Sequence, residues 1–152
     1  MIIKPHEIEK LNLSKNKFFL FYGENQGHKN QIINSKFKKI FLKNTYIFEE
    51  TEILTNINSF FDQILSRSFF EKEKLIIINR ATDKIKTILE EIIDKDIEDL
   101  VIVLNSNSLE KKSKIRSLFE KNKKTYCVPF YEDNHQTLNS IISLFFRNKK
   151  IP

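Results

Sequence analysis

The stretch Lys17-Phe-Phe-Leu-Phe-Tyr-Gly23-Glu-Asn-Gln-Gly27-His28-Lys29-Asn30 runs from a block of aromatic and aliphatic side chains, through two glycines, into a polar segment. A short apolar run bounded by glycine reads as a buried strand, Lys17–Tyr22. Ile32, Ile33, Phe37 and Ile40 then recur at three- and four-residue steps, so the spacing predicts a helix over Asn25–Lys39. A strand, a glycine turn and a helix in that order open a parallel α/β sheet.

The rest of the chain repeats the alternation. Asn44–Phe48 reads as a second strand, closed by an acidic turn at Glu49-Glu50. Ile57, Phe60, Phe61, Ile64 and Leu65 form the i, i+3, i+4, i+7, i+8 stripe of a core-facing helix. Leu75–Ile78 and Leu100–Leu104 are continuously apolar, the pattern of strands buried on both faces. Between them, Thr82–Ile93 reads as a helix capped by Thr82, with Ile85, Ile88, Leu89, Ile92 and Ile93 on one face. Leu109–Lys121 reads as a helix burying Ile115, Leu118 and Phe119, Thr125–Val128 as a fifth strand, and Asn134–Phe146 as a last helix capped by Asp133. Pro5–Leu11 predicts a short opening helix with Pro5 in its first turn. The expected fold is α/β: a five-stranded, mainly parallel sheet with helices on both faces and the two apolar strands inside.

Composition sets the outer bounds. At 152 residues one domain is the default, and 40% hydrophobic with 30% charged residues fits a globule with an ordinary core. Two glycines and three prolines exclude collagen, mucin-like stalks and linker arrays. Cys127 is the single cysteine, which excludes a disulfide framework and a cysteine-based zinc site and fits a reducing compartment. Charge within the first residues argues against a signal peptide, and no apolar run reaches the length of a bilayer span. A cytoplasmic protein without a membrane partner is expected. The formal charge of +6 suits nucleic-acid contact, but it also suits mere solubility, and only four basic residues are Arg, the usual reader of base edges.

Both glycines lie in the one loop where a doubly wound fold cradles phosphate, and Lys29 stands near the place of a phosphate lysine. As a P-loop the segment Gly23, Gly27, Lys29 is degenerate. Three residues separate the glycines where four are needed, His28 precedes the lysine, and Asn30 replaces the magnesium-binding hydroxyl. Leu75–Ile78 runs into Asn79-Arg80 and Leu100–Leu104 into Asn105-Ser106, so neither strand delivers a carboxylate to a metal. A tight turn that needs glycine for backbone reasons explains the loop without catalysis. No cofactor and no metal are expected, because His6, His28 and His135 are scattered. The acidic residues Glu90, Glu91, Asp94, Asp96, Glu98 and Asp99 read as a solvated face. Lys111, Lys112, Lys114, Arg116, Lys121, Lys123 and Lys124 make a basic helix and turn, of which Lys111, Lys112 and Arg116 are candidates for phosphate or DNA contact.

Phe69 and Phe70 do not fit the core stripe. With Ile57 at zero and about 100° per residue, the stripe through Leu65 stays within roughly 80°, whereas Phe69 falls near about 120° and Phe70 near about 220°. Arg67-Ser68 before them and Glu71–Lys74 after them place the pair in a charged tip, a candidate partner anchor. A turn that tucks one ring under the sheet is the alternative.

At this point the chain resembles the N-terminal domain of the delta subunit of the bacterial DNA polymerase III clamp loader. The likeness rests on Phe19-Leu-Phe-Tyr-Gly23 with its degenerate loop, on Ser68-Phe69-Phe70 before Leu75–Ile78, and on Leu100–Leu104. It continues through Leu109-Glu-Lys-Lys-Ser-Lys-Ile115 and Cys127-Val-Pro-Phe130. The resemblance implies an AAA+-like P-loop ATPase fold over residues 1–147 whose nucleotide site is not functional, with residues 148–152 starting a linker to a helical lid domain. It implies a non-catalytic subunit of the DNA polymerase III holoenzyme, a nucleotidyltransferase complex. This subunit grips the sliding clamp (the beta subunit), helps open it, joins the other loader subunits through further domains, and meets DNA through the complex. The family's clamp contact, usually Leu-Phe after a helix, corresponds to Phe69-Phe70, flanked by Arg67 and Ser68; phenylalanine at the first place departs from the pattern. The rival readings are a divergent P-loop NTPase or nucleotide kinase, and a plain nucleic-acid-binding module.

Overall fold

The computed structural model describes residues 1–13, 17–65 and 73–131. The helix expected at Asn134–Phe146 and the linker expected at 148–152 lie outside them. Five strands form one sheet: β1 (Phe18–Tyr22), β2 (Thr45–Glu49), β3 (Lys74–Asn79), β4 (Leu100–Asn105) and β5 (Thr125–Pro129). Their order is β2-β3-β4-β1-β5 and every pairing is parallel. The two apolar strands β3 and β4 are therefore interior, as their lack of alternation predicts, and β1 joins them. The outer edge of β5 is met by the first residues, where Ile3 N–H donates to Cys127 O and Cys127 N–H to Met1 O.

The interior strands read as unbroken apolar runs because each feeds two cores. Phe19, Phe21, Leu75, Ile77, Val101 and Val103 face Ile8, Ile33, Phe37 and Phe41 on one side of the sheet. Phe18, Leu20, Ile76, Ile78, Ile102 and Leu104 face Phe60, Ile64, Leu89, Ile92, Ile115 and Phe119 on the other. Helices thus cover both faces. The first core is rich in aromatic edges, with Phe19 and Phe37 ring centres 5.1 Å apart and Phe21 and Phe130 5.0 Å apart.

Several element boundaries differ from the sequence expectation, each for a physical reason. The helix after the glycine loop comprises α1 (Gln26–Ile32), a π-helical stretch (Ile33–Lys38) and a last turn, α2 (Lys39–Phe41). The wider π turn brings Ile33, Phe37 and Phe41 onto one line and buries them, so Ile40 stays 54% exposed and does not join the stripe. The expected acidic turn at Glu49-Glu50 is instead the start of a helix, α3 (Glu50–Thr55), whose first turn carries Glu50 and Glu52 where helix polarity favours them. α4 is described over Ile57–Leu65, the span of the predicted stripe. Only Phe60 and Ile64 are fully buried, while Ile57 and Leu65 at the stripe's margins remain 40% and 46% exposed. A 3₁₀ turn, Asp83–Ile85, capped by Thr82, precedes α5 (Lys86–Lys95). α6 (Lys114–Lys121) starts at Lys114, not at Leu109, because the Ser113 hydroxyl caps it by accepting from Arg116 N–H. Leu118 is only partly buried.

Candidate functional site

Parallel strands direct their C-terminal ends to one edge of the sheet, where α/β proteins place their ligands. Here that edge carries Gly23 after β1, Asn79 and Arg80 at the end of β3, and Asn105 and Ser106 at the end of β4. Gly23 has φ +118°, and a Cβ built on it would stand 2.0 Å from the Phe130 carbonyl oxygen. Only glycine fits there. Gly27 differs: it lies inside α1, and a Cβ would find nothing closer than 3.8 Å.

Lys29 is fully buried. Its Nζ donates to Gly23 O at 2.8 Å and to Ser106 O at 2.6 Å, tying the ends of β1 and β4 together. Burial without a counter-charge lowers its pKa from the usual lysine range. Several of the loop's backbone donors are similarly engaged. Gly23 N–H donates to Asn107 O, Asn25 N–H to Phe130 O, Gln26 N–H to Glu24 O and Lys29 N–H to Asn25 O; the Asn25 side chain takes His28 N–H. A phosphate cradle needs such amides pointing at the ligand. In this chain the lysine and these amides are taken by carbonyls of the loop and of the neighbouring segments at Ser106, Asn107 and Phe130.

Beside the loop is a cleft of about 450 Å³ lined by Gln26, Asn30, Glu49, Asn79, Arg80, Asn105 and Asn107. Its chemistry is mostly amide. Asn105 Nδ2 donates to Asn79 Oδ1 at 3.2 Å, and the Glu49 carboxylate is held by Arg80 Nε at 3.2 Å. Neutral Asn30 and Asn79 offer magnesium neither a hydroxyl nor an anionic carboxylate. Among the described residues no group of three or more His, Cys, Asp or Glu could hold a metal ion. Burial pushes the Cys127 thiol and the Tyr22 phenol each up to about 12, so both stay protonated near neutrality.

The basic segment divides in two. Lys111 and Lys112 are exposed, Lys112 lying 3.3 Å from the equally exposed Glu110. Arg116 turns inward: its guanidinium donates to Leu109 O at 2.9 Å and to Glu120 at 2.8 Å, and lies 4.8 Å over the Tyr22 ring. The acidic stretch is in part neutralised along its own helix, with Lys86–Glu90 at 3.2 Å and Lys95–Glu91 at 3.5 Å. His28 packs edge-on against Phe130 with ring centres 5.1 Å apart.

The family model described as DNA polymerase III, delta subunit, matches residues 19–131. The chain belongs to that family. Among solved structures, this delta-family chain is similar to the Bacillus subtilis DNA clamp loader delta protein (YqeN), with a TM-score of 0.63 at 15% identity. The match covers 95% of this chain and 46% of the other, so the chain spans less than half of that protein's length. No curated protein sequence matches it. Of the delta-family residues singled out above, Arg67, Ser68, Phe69 and Phe70 lie outside the described residues, as does His135. Gly23 and Lys29 come together with Ser106 and Phe130, two partners far away in sequence that no local pattern could have named. Among the described residues no helix is long and apolar enough to cross a membrane.

Proposed function

We propose that this chain is the clamp-gripping, non-catalytic part of a clamp loader, holding the sliding clamp through Phe69 and Phe70 while other subunits hydrolyse ATP. The observation that carries the reading is the delta-family match over residues 19–131. The closed loop supports the non-catalytic half, because Lys29 is spent on Gly23 and Ser106 carbonyls. Sheet polarity supports the division of labour. β3, which Phe69 and Phe70 precede in sequence, begins at Lys74 on the edge of the sheet opposite Gly23, Asn79 and Asn105. A clamp contact there is independent of whatever happens at the other edge.

Titration of the 152-residue chain with its cognate sliding clamp, without nucleotide, tests the reading. Binding is expected, and Phe69→Ala/Phe70→Ala is expected to weaken it by about thirtyfold or more, since truncating an aromatic anchor typically loses about 2 kcal/mol. The variant is expected to keep its melting temperature, because Phe60 and Ile64 supply the buried part of α4. Unchanged clamp affinity, or an unfolded variant, would assign the pair to the core instead.

A further inference from the structure

Lysine is seldom buried, yet Lys74, the first residue of β3, is only 7% exposed. Its place in the sheet does not depend on the side chain: Lys74 N–H donates to Asp99 O at 2.9 Å, and the residue pairs with Leu100 of β4 in the parallel ladder. The ammonium instead reaches α4. Nζ donates to Gln63 O at 3.1 Å and lies 5.7 Å from the centre of the Tyr46 ring in β2. Elsewhere α4 is held by apolar and ring contacts: Phe60 and Ile64 are buried, Phe60 meets Phe48 edge-on at 5.2 Å, and Lys95 lies 4.7 Å over the Phe61 ring. Eight residues, 66–73, separate Leu65 from Lys74 in sequence, and Phe69 and Phe70 are among them. The bond from Lys74 to Gln63 thus joins the strand and the helix that flank this stretch.

We propose that Lys74 is a positioning residue for the clamp contact: its ammonium fixes the last turn of α4 against the start of β3 and so sets the frame from which Phe69 and Phe70 meet the clamp. This rests on the clamp reading above. Stability alone is a weak reason for a lysine here. Burying an ammonium costs solvation that one carbonyl and one ring offset only in part, and an unbranched apolar side chain would fill the same space without that cost. What an apolar side chain cannot do is bond to Gln63 O. A hydrogen bond is directional and selects one placement of helix against strand, where apolar packing accepts several. Fixing the separation of Leu65 and Lys74 narrows the arrangements open to the eight residues between them, and the fraction of molecules ready to dock rises accordingly.

Association and dissociation rates of the 152-residue chain on its immobilised cognate sliding clamp, measured well below the melting temperature and alongside thermal melts, test the proposal. Lys74→Met is expected to slow association by about tenfold, to change dissociation by less than about threefold and to move the melting temperature by less than about 3 °C. Lys74→Arg keeps a donor for Gln63 O and is expected to stay within about threefold of wild type. Ile115→Val trims the buried side chain at the start of α6 and is expected to lower the melting temperature while leaving both rates unchanged. A Lys74→Met variant that associates as fast as wild type, or that fails to fold, would overturn the proposal. So would a Lys74→Arg variant as slow as Lys74→Met, or an Ile115→Val variant slowed to the same degree. Phe69→Ala/Phe70→Ala on the same surface keeps the two readings apart. If it binds like wild type, the clamp reading itself has failed; if it loses binding while Lys74→Met does not, only the role of Lys74 has.

Discussion

Lys29 stands near the place of a phosphate lysine in the sequence, yet its amine is held by two carbonyls of its own chain. Removing it should therefore be felt as lost stability. Lys29→Ala leaves Gly23 O and Ser106 O without that donor and opens a void at the junction of β1 and β4, a loss of about 3 kcal/mol. Chemical denaturation reads this directly; an unchanged midpoint would mean that the amine is dispensable. The two glycines should separate in the same assay. Gly23→Ala drives a methyl group into the Phe130 carbonyl at positive φ and should cost several kcal/mol or prevent folding. Gly27→Ala sits in α1 with room for its methyl group and should be neutral or stabilising by up to about 1 kcal/mol. Equal effects at the two positions would contradict the geometry of the loop.

At the scale of elements, α5 and α6 are joined at their starts by one carboxylate. Asp83 accepts from the Ser113 hydroxyl at 2.7 Å and from Ile115 N–H at 3.0 Å. The Ile115 N–H is the main cause that holds its pKa below the usual carboxylate value, with Ser113 adding to it against the cost of burial. Because the folded pKa lies below the unfolded one, this contribution is complete above the usual carboxylate pKa and is lost as pH falls from there through the lowered folded pKa. Thermal melts from about pH 6 down to about pH 3 should thus show wild type losing more stability than Asp83→Asn. Parallel curves would remove Asp83 from that role. Element type was largely legible in the sequence because burial leaves a period. The α4 stripe marked a helix over Ile57–Leu65, and the unbroken Leu75–Ile78 and Leu100–Leu104 runs marked the interior strands. What escaped was set by single residues or by distant ones. The π turn that exchanges Ile40 for Phe41 leaves no periodic mark, Ser113 starts α6 later than hydrophobicity implies, and α3 begins with Glu50. The buried Glu50 carboxylate accepts from Thr82 N–H and from the Thr82 hydroxyl, a pairing across 32 positions that local reading cannot foresee. The candidate site was legible only as a failed motif; that Lys29 closes the loop depends on Ser106, at the end of another strand.

For the molecule as a whole, the two edges of the sheet make separable demands, and nucleotide is the sharper probe. Any ligand that binds only the folded state stabilises it by an amount fixed by concentration over affinity. Were Mg-ATP bound with a dissociation constant of about 50 μM, about 5 mM nucleotide would add about 2.7 kcal/mol. For a chain of this size that raises the melting temperature by about 5–10 °C, far outside measurement error. The closed loop argues for no such shift. Lys29 would have to leave its two carbonyls and be rehydrated, the Gly23 and Asn25 amides would have to break their bonds to Asn107 and Phe130, and the neutral Asn30 and Asn79 would still offer magnesium no charge. The expected result is a melting temperature unmoved by Mg-ATP, with clamp affinity equally unmoved, because β3, which Phe69 and Phe70 precede in sequence, begins at the opposite edge. A rise of several degrees with Mg-ATP, accompanied by phosphate release, would return the chain to the NTPase reading; a rise without turnover would show that the loop opens for nucleotide and that Lys29 is a latch, not a fixed tie.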